Sequence, residues 1–310
     1  MTLKVLTITF NPAVDKSSTV ENIQPEKKLR CSKPVYEAGG GGINVSRGLE
    51  RLGISSVALY PAGGRTGELL QDLLNKENID SLAVPVVAET RENFIVVDTS
   101  NNNQYRYGMP GDAITPKEAD ALHEAILGID PLPKIAVISG SLPEGLSTAF
   151  LIKLVKELKA KNVKIIADTS GDALTAILKE GVYLVKPNIG ELSKFIGKEE
   201  LDNESADEAA KELINKGAAE IVAVSMGPQG AYVVSKDECV HINAPSVKKL
   251  STVGAGDSMV AGMTSIIAKG GSITEMARMG VACGTAATMS KGTGLFTKEN
   301  AEKLYKWLSK

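Results

Sequence analysis

Short apolar runs alternate with stretches of helical period along most of the chain. The runs at 3–9, 56–60, 134–139, 163–168, 182–186 and 219–225 are too short for helices and are bounded by turn residues, so they predict buried strands. A strand pair is expected near 230–243. Between these, apolar side chains recur every three or four positions at 44–52, 66–77, 116–128, 147–161, 188–197 and 204–216, which predicts helices with one buried face. Ser147 suits an N-cap and Gly53 a C-terminal stop. Strand and helix in alternation predict an α/β fold of three layers, a mostly parallel sheet with helices on both faces.

Two segments break that rhythm. Residues 16–37 and 92–108 alternate polar and apolar like half-exposed strands, and the second reads as a hairpin turned at Thr99 to Asn103. Together they predict a small β-sheet lid, 16–36 with 92–108, on a large domain made of 1–15, 37–91 and 109–310. A small sheet with an apolar face needs a cover, either the mouth of a site or the same sheet of a second subunit. From Ala255 to Ser290 two helices rich in small residues follow each other, and 297–309 predicts a terminal helix.

Composition narrows the partners. The 35 basic and 37 acidic side chains nearly cancel, at a pI of about 5.9, so there is no electrostatic footprint for nucleic acid or an anionic membrane. No apolar run reaches membrane-span length, and the N-terminus alternates like a strand and lacks the features of a signal peptide, so a cytoplasmic protein is expected. Cys31, Cys239 and Cys283 are odd in number and widely spaced, which suits reduced thiols used in packing. The two histidines, His123 and His241, lie away from every motif, which argues against a histidine-based triad or metal site.

Phosphate chemistry must therefore be local. In Thr252-Val253-Gly254-Ala255-Gly256-Asp257-Ser258, small residues at a helix start expose backbone N–H groups to an anion, and Asp257 stands where a base would meet a transferring phosphoryl group. Standing alone, the same string also reads as a Gly-rich turn with an acid in the first helical turn. Lys186-Pro187-Asn188-Ile189-Gly190-Glu191 closes a strand and opens a helix. Asn188 and Glu191 there suit either hydrated magnesium or a plain capping box. Ser225 to Gly230 offers backbone amides for a nucleotide, or a simple turn. Gly39-Gly40-Gly41-Gly42 runs into a helix opened by Asn44, and bare backbone lets a ligand approach. Asp15 suits sugar hydroxyls; Arg91 and the lid cations Lys28, Arg30 and Arg106 suit phosphate, or are solvated surface charges.

In this order the motifs resemble the ribokinase-like PfkB carbohydrate kinase family over essentially the whole chain, Gly254-Ala255-Gly256-Asp257 being the most specific. Within it, Lys28-Leu29-Arg30-Cys31, Gly39 to Val45, Pro61 to Gly64 with Thr66-Gly67-Glu68, Gln104-Tyr105-Arg106, Met109-Pro110-Gly111, Ser139 to Pro143 and Ser251 to Val260 are similar to the type 2 6-phosphofructokinase branch. The resemblance implies ATP and magnesium as cofactors and phosphorylation of fructose 6-phosphate to fructose 1,6-bisphosphate. Asp257 would be the general base and Gly254, Ala255 and Gly256 the anion hole. Magnesium would be organised by Asn188 and Glu191, and the nucleotide by Lys186, Asn188, Ser225, Gly227, Gly230, Lys249 and Thr285. Sugar contacts would come from Asp15, Gly40, Gly41, Asn44, Arg91, Arg106 and Ser139. A homodimer through the lid would carry Lys28 and Arg30 toward a partner's site. A potassium site would involve Ser251, Val253, Ala287, Ser290, Gly292 and Gly294.

Two departures bear on these expectations. Ser251 stands where ribokinases carry Asp, and Ser290 and Gly294 depart from the type 2 pattern. Position 41 is Gly where relatives acting on fructose 1-phosphate or tagatose 6-phosphate carry Lys, which favours fructose 6-phosphate. Kinases of those two sugars, and a non-catalytic sugar- or nucleotide-binding sensor, are the competing readings.

Overall fold

The computed structural model describes residues 4–198, 201–202 and 205–310. Leu3 of the first expected strand and Glu204 of an expected helix lie outside them. Nine strands form the large sheet: β1 (Val5–Ile8), β4 (Ser56–Ala62), β5 (Ser81–Pro85), β8 (Ile135–Ser139), β9 (Lys164–Asp168), β10 (Val182–Val185), β11 (Ala219–Ser225), β12 (Ala231–Ser235) and β13 (Cys239–Ile242). Their order is β13-β12-β11-β10-β9-β8-β1-β4-β5, parallel except for the hairpin at the β13 edge. Four strands, β2 (Ala13–Val20), β3 (Val35–Gly39), β6 (Arg91–Asp98) and β7 (Asn103–Tyr107), form a second, smaller sheet in the order β3-β2-β6-β7, at the segments expected as a lid.

Side chains of a strand alternate between faces, and the core divides accordingly. From β1 and β8, Leu6, Ala136 and Ile138 pack on one side with Leu122 of α3 (Pro116–Leu127), Leu151 of α4 (Thr148–Ala160), Ile177 of α5 (Gly171–Glu180), Leu192 of α6 (Ile189–Ile196) and Leu213 of α7 (Ala206–Asn215). Val5, Ile135 and Val137 pack on the other with Val45 of α1 (Gly41–Arg51), Val260 of α8 (Ala255–Ile267) and Met276 of α9 (Ile273–Thr288). Leu70 and Leu74 of α2 (Gly64–Lys76) close a third cluster against the lid base. α10 (Lys298–Leu308) ends the chain. No described helix is long and apolar enough to cross a membrane.

The small residues of the last third have a structural reason. A Cβ on Gly262 of α8 would come within 2.6 Å of the Met279 carbonyl of α9, and one on Gly48 of α1 within 2.6 Å of Ala261. The three helices touch almost backbone to backbone. The Ser147 cap is present, its side chain accepting from Phe150 N–H. Two elements, β5 and α5, fall where none was expected. The thiol reading needs correction: Cys283 is buried, with its thiol pushed up by burial, whereas Cys31 and Cys239 are exposed and cannot be core packing residues.

Candidate active site

The segment ahead of α8 turns sharply at Gly254. Its φ of 70° is left-handed, and a Cβ there would also strike Leu295 at 2.5 Å, so glycine is required. Of the first-turn N–H groups of α8, that of Ala255 donates to the Thr252 carbonyl at 3.4 Å, while those of Gly256 and Asp257 have no intrahelical partner by helical geometry. Asp257 lies in that turn, half-buried. Its Oδ2 accepts from Asn44 Nδ2 at 2.9 Å. Burial, joined by the charges of Asp168 and Asp15, pushes its carboxyl up to about 7, against the pull of Asn44 and Lys186. A carboxyl poised near neutrality is suited to take a proton from an alcohol.

Asn44 reaches Asp257 because α1 begins earlier than expected, at Gly41. Asn44 is therefore not a cap; Thr9 Oγ1 serves the helix start instead, accepting from Ile43 N–H at 2.8 Å. The glycine run also has a different reason from bare access. A Cβ on Gly39 would meet the Asp15 carboxyl at 2.7 Å, one on Gly41 the Ser139 hydroxyl at 2.2 Å, and one on Gly42 Thr9 Oγ1 at 2.6 Å. These glycines let the lid strand, β1 and the β8 end close on one another. Gly40, at φ 114°, is the turn between β3 and α1.

Parallel strands present their C-terminal ends on one edge, where α/β proteins bind ligands. Ser139 closes β8 there, buried and with its hydroxyl unpartnered. Asp168 closes β9 and meets Lys186, which follows β10, at 3.0 Å. Burial works against the Lys186 ammonium, yet Asp168, Asp257 and Glu191 together hold its pKa above the ordinary value. Its Nζ would lie 3.5 Å from a Cβ on Gly256, so the cation borders the anion hole. Asn188 and Glu191 form a reciprocal capping box on α6, each bond 2.9 Å. Asn188 also bridges to Ser225, whose N–H binds the Pro187 carbonyl. Thr285 is buried on α9, next to Gly284, which faces the Ala255 carbonyl. Gly230 is explained by the hairpin, since a Cβ would collide with the Ile242 carbonyl at 1.9 Å, while Gly227 and Lys249 are exposed.

The small sheet packs beside this edge. Asp15, on β2, is buried, and burial raises its pKa although Asn93 donates to Oδ1 at 2.8 Å and Arg91 lies near. Arg91 is held by Asn93, the Met109 carbonyl and the Asn11 carbonyl, each at 3.1 Å, with its Nε buried and unpartnered. From β7, Arg106 donates to Thr252 Oγ1 at 2.7 Å and Gln104 to Ser251 Oγ at 3.5 Å. From β3, Glu37 accepts from Thr293 N–H and Oγ1 at 3.2 and 2.8 Å. Lys28 and Arg30 are exposed between β2 and β3.

Ser251 and Val253 join Ala287, Ser290, Gly292 and Gly294 in one region, through Ser251 N–H on the Thr288 carbonyl and Gly254 against Leu295. The Gly294 carbonyl already accepts from Arg51 at 2.7 Å. Among the described residues no three His, Cys, Asp or Glu side chains gather as a metal cage.

Asp168, Asn93 and Glu37 escaped the sequence reading. A signal for Asp168 existed, an acid ending an apolar strand on the edge shared with Ser139 and Lys186. Asn93 and Glu37 carry none, because polar residues on a lid strand look alike until the lid has a place to close.

The model of the pfkB family carbohydrate kinases matches residues 6–300. The chain is 43% identical over 309 residues to the ATP-dependent 6-phosphofructokinase isozyme 2 of Escherichia coli, covering 99% of this chain and 100% of that protein. It is 32% identical to the 1-phosphofructokinase of Bacillus subtilis, covering 97% of each. The crystal structure of phosphofructokinase-2 from Escherichia coli in complex with fructose-6-phosphate superposes with a TM-score of 0.94 at 42% identity, covering 100% of both chains. The chain belongs to the pfkB family of carbohydrate kinases.

Proposed function

We propose that this chain phosphorylates the 1-hydroxyl of fructose 6-phosphate with ATP, giving fructose 1,6-bisphosphate and ADP. The observation that carries the reading is Asp257: a half-buried carboxyl raised to about 7, held by Asn44, in the first turn of a helix that opens at a left-handed Gly254. Identity to the Escherichia coli isozyme exceeds that to the Bacillus subtilis 1-phosphofructokinase, which favours fructose 6-phosphate as acceptor.

Asp15, Asn44 and Ser139 orient the sugar, and Arg91 binds its existing phosphate. The acceptor hydroxyl loses its proton to Asp257 as its oxygen attacks the γ-phosphorus, and the bond to the ADP oxygen breaks. Amides at Gly254 to Gly256, with Lys186 beside them, neutralise the charge on the phosphoryl oxygens. Lys186, Ser225, Gly227, Gly230, Lys249 and Thr285 line the nucleotide side. Magnesium, arriving with ATP, neutralises the phosphate oxygens when bound. The half-exposed Glu191 carboxylate and the exposed Asn188 amide would hold it through its hydration shell. The 251–253 and 287–294 segments would hold potassium, the Gly294 carbonyl sharing itself with Arg51.

We further propose a cytoplasmic homodimer through the lid. The lid face turned from the site carries Lys16 over the rings of Tyr36 and Phe94, with Tyr105 and Tyr107 exposed alongside, an aromatic surface suited to a second copy. Lys28 and Arg30 would then reach the partner's sugar phosphate.

The test is the purified protein with ATP and magnesium, read by coupled ADP release, on fructose 6-phosphate, tagatose 6-phosphate, fructose 1-phosphate and unphosphorylated sugars. The largest kcat/KM is expected with fructose 6-phosphate. A larger value on another acceptor reassigns the substrate. Binding without ADP release from any of them would make the protein a sensor.

A further inference from the structure

We propose that Arg47 is a positioning residue for the transfer reaction, fixing which end of the Asn44 amide faces Asp257. The inference rests on the reading of Asp257 as the base. Arg47 lies one helical turn after Asn44 on α1 and is only 2% exposed. Its guanidinium donates to Asn44 Oδ1 at 3.1 Å, to the Ala38 carbonyl at 2.9 Å and to the Thr293 carbonyl at 3.4 Å. Glu77, at the end of α2, anchors it through Nε and Nη2 at 2.8 Å each, and Glu37 lies at 4.0 Å.

The chemistry of the chain Arg47–Asn44–Asp257 permits one orientation. A guanidinium only donates, so it must meet the amide oxygen; an ionised carboxylate only accepts, so it must meet the amide nitrogen. Turning the amide by half a turn would set N–H against guanidinium and C=O against carboxylate, and both contacts would repel. Asn44 is therefore locked as a donor to the ionised base, and its second N–H is the one left for a sugar oxygen. The groups acting on Asp257 are Asp15 from β2, Asp168 from β9 and Lys186 after β10, besides Asn44 from α1. Of these, Asn44 alone has two ends of opposite character. Without Arg47 it can turn its carbonyl toward the carboxyl, an arrangement that suits only the protonated acid.

The experiment compares Arg47→Met, Arg47→Lys and Glu77→Gln with the native protein. Loss of the lock is expected to move the acidic limb of kcat/KM for fructose 6-phosphate upward by about half a unit to one unit, the effect of one hydrogen bond. kcat should fall while KM changes less. Arg47→Lys keeps a cation for Glu77 and so favours a folded protein, but a single ammonium cannot serve Glu77 and Asn44 together; it should move the limb in the same direction. Glu77→Gln removes only the anchor, so it should lower the melting temperature and leave the limb in place. The titration of the Asp257 carboxyl, followed by carbon-13 NMR in the absence of nucleotide, reads the same shift without turnover. Active native protein with an unmoved limb and titration in Arg47→Lys overturns the positioning role, as does a Glu77→Gln limb that moves equally. An inactive native protein whose Asp257 titration still shifts in the Arg47 variants overturns the kinase reading alone.

Discussion

Asp257 stands between two opposing influences, burial beside Asp168 and the donors Asn44 and Lys186, and each has a measurable side. As the base, its replacement by asparagine should lower kcat by about 10²–10⁴-fold with a nearly unchanged KM for the sugar. Near-normal turnover of Asp257→Asn would remove it from that role. The same carboxyl affects stability. Its ordinary value is 3.8 and its folded value about 7. Below the first it is neutral in both folded and unfolded chains. Between the two, the folded protein keeps a proton that the unfolded chain has released, so stability falls as pH rises; above the second the loss is complete. Asparagine mimics the neutral acid at every pH. The melting temperature of Asp257→Asn relative to the native protein should therefore climb from the lower value to the upper and then level off. A calorimetric difference that is flat across that window would show an unperturbed carboxyl.

At the level of elements, strands of the small sheet hold two loops, the one after α9 and the one that precedes the anion hole. Glu37 of β3 takes both donors of Thr293, and Arg106 of β7 takes Thr252. Glu37→Ala leaves Thr293 N–H and Oγ1 unpaired and should cost about 1–3 kcal/mol in urea unfolding, together with a raised KM for the sugar. Unchanged values of both would show that the contact does not hold the lid. Most elements were legible because their periods are clean: β8, β9 and β11 each hold a short apolar run, and α4 and α10 carry one apolar face. β5 was not, since Ser81–Pro85 is an edge strand in which only Val84 is buried and whose last residue is proline. α5 hid behind Gly171, a residue that reads as a turn but here sits at a left-handed φ of 61° and opens the helix. The site was legible as a set of motifs and opaque as a network. Asn44 and Asp257 are 213 positions apart, Arg106 and Thr252 are 146 apart, and no spacing rule connects them. Local signals placed Asn44 at the helix start, three residues late, because its partner is elsewhere in the chain.

For the whole molecule, the exposed aromatic face of the lid is the feature a lone chain leaves unexplained. Tyr107 is 50% exposed and lies in the row with Lys16, Tyr36 and Phe94. Tyr107→Glu places a charge in that row and should convert a dimer to a folded monomer in analytical ultracentrifugation, with activity falling as the partner's Lys28 and Arg30 are lost. A native protein that sediments as a monomer at micromolar concentration rules out the lid dimer.

A single residue, Gly40, separates the lid strand β3 from the helix that carries Asn44 and Arg47. With no slack between them, the place of β3 and the pitch of the first turn of α1 are set together, and with them the amide that meets Asp257.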